Sequence, residues 1–377
     1  THLSSASPQQ KESSVLHWLK QTVFTLVSLL LLSQFAWAAD LPTIRLGTTF
    51  ILNNTSMLVA MKKGDSYVQD GYSLHELLYK EKYELRKNGK AVAILDFVYG
   101  KGGSDIAMSM SQGNIDMGVF SLCAALSAQD KGVKIKLVSP YILAVGALTV
   151  HKDIPVQTLE EFIDYIKKSD KPVKIGYHSP DSAPILITRS SMTSLGLTST
   201  DDPYNTKANI LYINLKGLGN VQASLASHQV DAFSAPVPHP QLAVQNGYGR
   251  ILRELRKLPP DGKWAEFPCC TVSATEKFIA EHADLIQHVV NFLAASGKWC
   301  TANPDEASIL AGSMLGLDPK NCRAALPVYI SSMTESWLKG VEASMKVLDE
   351  TGYIKNTLKN KTFDQVKNTI LTTRFCK

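Results

Sequence analysis

The chain has 377 residues, 45% of them hydrophobic and 19% charged, with a formal net charge of +5. That length suits two lobes better than one small core, and the composition is that of an ordinary globular protein. The charge is mild and no basic stripe interleaves with aromatics, which argues against a nucleic-acid partner.

Residues 1–19 are polar and read as a segment upstream of a leader. Lys20 then precedes an apolar run from Val23 to Leu32, followed by Ala36-Trp37-Ala38. A positive flank, a short apolar core and an Ala-x-Ala site spell a secretory signal peptide, with cleavage expected after Ala38. The run is shorter than the roughly 20 residues of a permanent span, so stable membrane insertion of the mature chain is not expected. The compartment this implies is a bacterial periplasm, where disulfides persist.

From there strands and helices alternate. Thr43–Gly47 reads as a strand, Met57–Lys63 as a helix, and Leu74–Arg86 as a charged amphipathic helix. Ala91–Val98 is a strand, Asp105–Gln112 a helix with Gly113 at its C-cap, Ile115–Phe120 a strand, Ala124–Asp130 a helix and Val133–Val138 a strand. The grammar then repeats. Ala147–Val150 is a strand. Thr158–Lys168 is a helix with a capping box of Thr158 and Glu161. Val173–Gly176 is a strand, Ser182–Leu195 a helix, Ile210–Leu215 a strand, Gly219–Ser227 a helix and Val230–Ser234 a strand. From Glu276 the pattern turns helical: Glu276–Ala280 capped by Thr275, then Asp284–Trp299, Pro304–Leu315, Pro319–Ile330 and Glu335–Glu350. This order predicts an α/β protein with mainly parallel sheets.

One phrase occurs twice: GNIDMGVFS at 113–121 and HQVDAFSAP at 228–236. Each copy puts an Asp, Asp116 or Asp231, at the start of a short buried strand. Each ends in a segment, Ser121 or Ser234–Pro240, at the strand's carboxyl end, where open parallel sheets gather ligands. Two copies imply two similar sheets facing one cleft, and structural roles for the two Asp residues.

In order and spacing, several pieces resemble the substrate-binding proteins of nitrate/sulfonate/taurine-type ABC importers. These are type II periplasmic binding proteins, a group that includes thiamine-pyrimidine precursor binders. The pieces are Ile44–Gly47, Gly103 through Gln112–Gly118, Lys131–Ile135, Leu148–Asp153 with Thr158–Glu161, Val173–Gly176 with Ser179 and Ser182, Leu225–Ala232, Phe278–His282 and Asn303–Ala307. The resemblance implies two α/β lobes, 39–141 with 266–377 and 142–265, and a ligand cleft between them. It also implies delivery of a small polar or anionic solute to a membrane permease with its ATPase. It implies no catalysis and no cofactor.

Candidate ligand contacts follow from the loops. Tyr177-His178-Ser179-Pro180-Asp181-Ser182 joins a strand to a helix, whose N-terminus favours anions; the resemblance places contacts at Tyr177, His178, Ser179 and Ser182. The plainer reading is N-capping by Ser179 or Asp181, and a carboxylate at Asp181 opposes an anionic ligand. Gly102-Gly103-Ser104 permits close backbone approach before a helix. Thr48, Thr49 and Phe50 follow the first strand, at a position the family uses for ligand contact or that serves as a plain turn. Ser121, Ser234 and His239 follow the two copies of the phrase.

Cys269 and Cys270 are adjacent, and with His178 and His239 they offer an alternative metal or metal-complex site, though no C-x-x-C or H-x-x-x-H spacing supports it. An enzyme on the same fold is the other alternative, but no G-x-S-x-G, H-E-x-x-H or Walker loop is present. Six cysteines allow fifteen complete pairings. The pair expected is Cys300–Cys322, closing a helical hairpin and worth roughly 3 kcal/mol in the chain-entropy model.

Overall fold

The computed structural model describes residues 41–143 and 146–376; the leader expected at 1–38 lies outside the described residues. Strand β1 (Thr43–Thr48) leads to helix α1 (Thr55–Lys63), strands β2 (Tyr72–Leu78), β3 (Lys82–Lys87) and β4 (Lys90–Tyr99), and helix α2 (Gly103–Ser111). Strand β5 (Met117–Ser121), helix α3 (Leu122–Asp130) and strand β6 (Ile135–Leu143) follow. A second run holds β7 (Ala147–His151), α4 (Leu159–Lys168), β8 (Val173–Tyr177), α5 (Ala183–Ser194), β9 (Ser199–Thr200) and β10 (Ile210–Asn214). It continues with α6 (Val221–Ala226), β11 (Ala232–Ala235), α7 (His239–Gln245) and β12 (Gly249–Glu254). The chain closes with β13 (Pro268–Thr275), α8 (Glu276–Glu281), α9 (Ala283–Ala302), α10 (Pro304–Leu315), α11 (Pro319–Ala324), α12 (Glu335–Glu350) and α13 (Phe363–Ile370).

The strands form two sheets, ordered β2-β3-β4-β1-β5-β13-β6 and β12-β7-β11-β8-β10-β9. The chain passes from the first to the second between β6 and β7 and returns between β12 and β13. Both sheets are built alike. Parallel strands, β4-β1-β5 in one and β11-β8-β10 in the other, meet an antiparallel neighbour: β13 beside β5, and β7 beside β11. The repeated phrase supplies the strand at that junction in both.

Its two Asp residues do the same work. Asp116 accepts a hydrogen bond from the Arg45 backbone N–H (3.0 Å), and Asp231 accepts one from the Lys174 N–H (2.8 Å). In return, Asp116 N–H donates to Arg45 O and Asp231 N–H to Lys174 O. Arg45 and Lys174 lie near the starts of β1 and β8, so each carboxylate pins the entry of the neighbouring parallel strand. Arg45 adds its guanidinium, with Nη2 2.5 Å from Asp116 Oδ1.

Three expectations change. The helix expected over Leu74–Arg86 is a β-hairpin, β2 and β3. Tyr72, Leu74, Tyr83 and Leu85 are buried in strand alternation, while Leu77, Leu78 and Tyr79 crowd the exposed turn. Asn88-Gly89 then turns β3 into β4 with both φ positive, the type I′ signature. This antiparallel ribbon makes the first sheet mixed. The helix expected over Pro319–Ile330 stops at Ala324. The Cys300–Cys322 disulfide is not formed. Both thiols are buried and free: Cys300 packs with Val59 and Ala307, while Cys322 lies under Gly312, within a different cluster.

Thr158 caps α4 by accepting from Glu161 N–H, but Glu161 reaches back to Gln157 N–H rather than to Thr158. Helix α9 packs on β2, β4 and β6 of the first sheet, α10 packs on α1 with α11 against it, and α12 packs on α3 and β13 and reaches α5. Among the described residues no helix is long and apolar enough to cross a membrane.

Candidate functional site

The carboxyl ends of β5, β8 and β11 face one another across the gap between the sheets. There they line a half-open cavity of about 40 Å³. Thr49, Ile51, Asn53, Gly102, Gly103, Phe120, Ser121, Cys269 and Cys270 wall it from the first lobe; His178, Ser182, Ala183, Pro184, Leu218 and Pro236 wall it from the second.

Three helices start at this wall. Gly102, Ser121 and Ser182 are the N-caps of α2, α3 and α5, and none of them caps its helix with a side-chain hydrogen bond. The positive ends of three helix dipoles thus converge on the cavity. Gly103 is required by close approach: a Cβ there would lie 2.9 Å from Ala124 Cβ and 3.3 Å from Ser121 Cβ. With glycine, the starts of α2 and α3 sit flush.

Three polar atoms in the wall have no partner: Asn53 Oδ1, Ser121 Oγ and His178 Nδ1. Asn53 is 3% exposed and His178 8%. Buried polar groups are normally satisfied, and three unpartnered ones here face one small space. Burial, with a smaller push from His239, drives the His178 pKa down to about 3, and burial drives that of His239 down to about 4. Both imidazoles are therefore neutral at physiological pH, and no cationic side chain lines the cavity.

The cations stand at the mouth. A vestibule lined by Phe50, Tyr99, Lys101 and Lys216 shares Thr49, Ile51 and Leu218 with the inner cavity. Phe50 and Tyr99 meet edge to face with centroids 5.5 Å apart.

Beside the cavity the lobes are tied directly. Ser104 Oγ of α2 donates to Asp181 Oδ1 (2.5 Å) and lies 2.9 Å from Ser179 Oγ, which itself donates to Asp181 Oδ1 (2.8 Å). Two hydroxyls thus occupy the carboxylate whose charge opposes an anion. The Leu218 N–H adds a long bond to Lys101 O (3.5 Å).

Of the residues singled out in sequence, Thr49, Gly102, Gly103, Ser121, His178 and Ser182 line the cavity, and Phe50 lines its mouth. Ser104 and Ser179 form the tie. Thr48 is buried behind the wall, accepting from Asn54 Nδ2. Tyr177 turns away, its ring beneath the Arg189 guanidinium. Ser234 Oγ donates to Pro184 O and accepts from Thr188, fastening β11 to α5. His239 is held by Gln222, with Nε2 unpartnered, outside the lining. Asn53, Ile51, Ala183, Pro184 and Leu218 were not singled out, whereas Phe120 lay in the first copy of the phrase and Pro236 in the segment Ser234–Pro240. Asn53 follows the apolar stretch Phe50–Leu52, and no local signal separates it from its neighbour Asn54.

Cys269 and Cys270 lie on β13 with their sulfurs 3.7 Å apart, hydrogen-bonded rather than disulfide-bonded. The Cys270 pKa is pushed well up by that bond and by burial, which keeps it a thiol. Among the described residues, these cysteines do not gather with His178 and His239 into a metal-holding group.

No sequence match is found among curated proteins. Solved structures share the architecture. A zinc-bound ligand-binding component of an ABC-type import system from Staphylococcus aureus aligns with TM-score 0.66 and 15% identity over 89% of this chain and 97% of that one. The alkanesulfonate-binding protein SsuA from Xanthomonas axonopodis bound to MOPS gives 0.63 and 14% over 85% and 96%. The nitrate-binding protein NrtA from Synechocystis gives 0.66 and 10% over 89% and 87%. At these identities the likeness is one of fold, the two-lobe type II periplasmic-binding-protein fold. The sequence model of the NMT1-like family matches residues 38–315, and the chain belongs to that family.

Proposed function

We propose that this chain is the periplasmic solute-binding component of an ABC importer and holds a small polar solute, preferably an oxyanion or an oxyanionic head group, in the cavity between its lobes. The lobes are taken as 39–141 with 266–377, and 142–265. The observation that carries the reading is the inner cavity, where three uncapped helix N-termini meet the orphaned Ser121 Oγ and His178 Nδ1, both able to donate, while Asn53 Oδ1 accepts only and calls for a donor on the solute. Its volume of about 40 Å³ is several times the roughly 10–15 Å³ that one water needs and far below a drug-sized pocket. That suits a guest of a few heavy atoms, such as nitrate, or a sulfonate head whose tail lies in the vestibule of Phe50 and Tyr99. Backbone dipoles would hold the charge, and Lys101 and Lys216 at the mouth would draw it in. Asp181, whose Oδ1 accepts from Ser104 and Ser179, keeps its negative charge beside the cavity and works against an anionic guest. The family and the fold neighbours support a permease with its ATPase as partner and a role without catalysis.

The test is a thermal-shift series with nitrate, bicarbonate, short alkanesulfonates including taurine, and uncharged analogues. A bound oxyanion at 100 times its Kd stabilises the fold by about 2.7 kcal/mol. If no oxyanion moves the melting temperature while an uncharged analogue does, the anion reading is wrong. If nothing does, the cavity is not a solute site.

A further inference from the structure

A second cluster lies at the opposite pole of the second lobe. His151 ends β7, Asp153 follows two residues on, and His228 sits in the turn before β11. Strand β11 runs antiparallel to β7, with Ala232 opposite Val150 and Ala235 opposite Ala147. The cluster is therefore at the entry of β11, a strand's length from the cavity at its exit.

Asp153 Oδ2 lies 3.5 Å from His151 Nδ1 and 3.6 Å from His228 Nε2. The three donor atoms fall within 4.8 Å of one another, and among the described residues this is the one group of its kind. Bonds of 2.0–2.2 Å in tetrahedral geometry require ligand atoms roughly 3.3–3.6 Å apart. The other carboxylate oxygen, Oδ1, is taken by Lys152 Nζ at 2.7 Å, which leaves Oδ2 facing both rings. The Asp153 N–H donates to His151 Nδ1 (3.2 Å), so that nitrogen carries a lone pair rather than a proton, as a metal ligand must. A metal would displace this long bond. The imidazoles pack with centroids 3.7 Å apart, and His228 holds a left-handed φ of 57°.

From this geometry we infer that His151, Asp153 and His228 form a divalent transition-metal site, with a fourth position open to solvent. Two imidazoles and one carboxylate select zinc, nickel or copper over magnesium or calcium. The bound ion would clip the end of β7 to the turn entering β11. The inference rests on this chain's own donors; the zinc of the Staphylococcus structure belongs to that protein. It is also independent of the solute reading, since it uses no residue of the cavity.

The experiment is calorimetric titration of the untagged, chelator-stripped chain with zinc chloride, with magnesium chloride as control. One zinc equivalent and no magnesium response are expected. His228→Asn keeps a side chain that tolerates left-handed backbone but lacks the ring nitrogen. Losing that ligand should weaken zinc by more than the roughly 10–100-fold typical of an outer-shell change, and Asp153→Asn should weaken it too. Circular dichroism confirms that both exposed-turn variants fold. The inference is overturned if the chain takes up no zinc, or if zinc binds His228→Asn as it binds the parent.

Discussion

The two neutral histidines, His178 in the cavity wall and His239 outside the lining, make a quantitative claim about acid. In the unfolded chain each imidazole titrates near 6.5; in the fold, burial holds His178 near 3 and His239 near 4. Below pH 6.5 the unfolded state therefore binds protons that the folded state refuses, and stability falls with pH until the folded pKa values are reached. Between pH 7 and pH 5 both groups stay neutral in the fold, so the loss depends only on the unfolded titration. It comes to about 2 kcal/mol for each histidine and about 4 kcal/mol for both. Urea denaturation at the two pH values measures it, in the parent and in His178→Gln, His239→Gln and the double variant. Each single variant should recover about 2 kcal/mol of the acid loss. His151, whose pKa burial and then His228 also lower, contributes alike to all four proteins. If the variants lose as much stability as the parent, the imidazoles are protonated in the fold. The cavity would then carry positive side chains, and the assignment of charge recognition to backbone dipoles would fail.

Three further outcomes are expected. Ser104→Ala removes the hydroxyl that ties α2 to Asp181; a hydrogen bond to a charged group contributes about 1.5–3 kcal/mol, so the solute-free protein should expand in small-angle scattering, and an unchanged radius of gyration would show that the tie does not hold the lobes. Gly103→Ala forces a methyl to within 2.9 Å of Ala124 Cβ and should cost about 1–3 kcal/mol in melting experiments, with weaker solute binding. Asp116→Ala and Asp231→Ala each orphan a strand amide and should cost about 1–3 kcal/mol while leaving solute affinity unchanged by titration.

The sequence showed the two-sheet plan well because the repeated phrase is a local signal: a helix end, an Asp and a buried strand occupy consecutive residues. It misled over Leu74–Arg86 because Leu74, Leu77 and Leu78 have helical spacing, although only Leu74 is buried. The Asn88-Gly89 turn beyond them was the better guide. Strand β13 went unrecognised because Pro268 and two cysteines do not read as a strand, and its antiparallel place between β5 and β6 is fixed by partners distant in sequence. At the cavity, residues next to strand ends and helix caps were legible. Tyr177 and Ser234 were not separable from them, since adjacent residues on a strand point to opposite faces and only the packed helices decide which face is the wall. Asn53 needed the same three-dimensional information.

The paired carboxylates of Asp116 and Asp231 have a further consequence. Each anchors its sheet at the pole remote from the cavity, Asp231 through the Lys174 backbone amide and Asp116 through the Arg45 amide and guanidinium. The opposite pole holds the short loops after β1, β4, β8 and β11, which line the cavity and carry little of the anchoring. The cavity and the anchoring carboxylates thus lie at opposite ends of the same strands. A protein engineer could recast the loops at 49–53, 102–104, 178–184 and 236–239 for a new cargo and keep the frame intact.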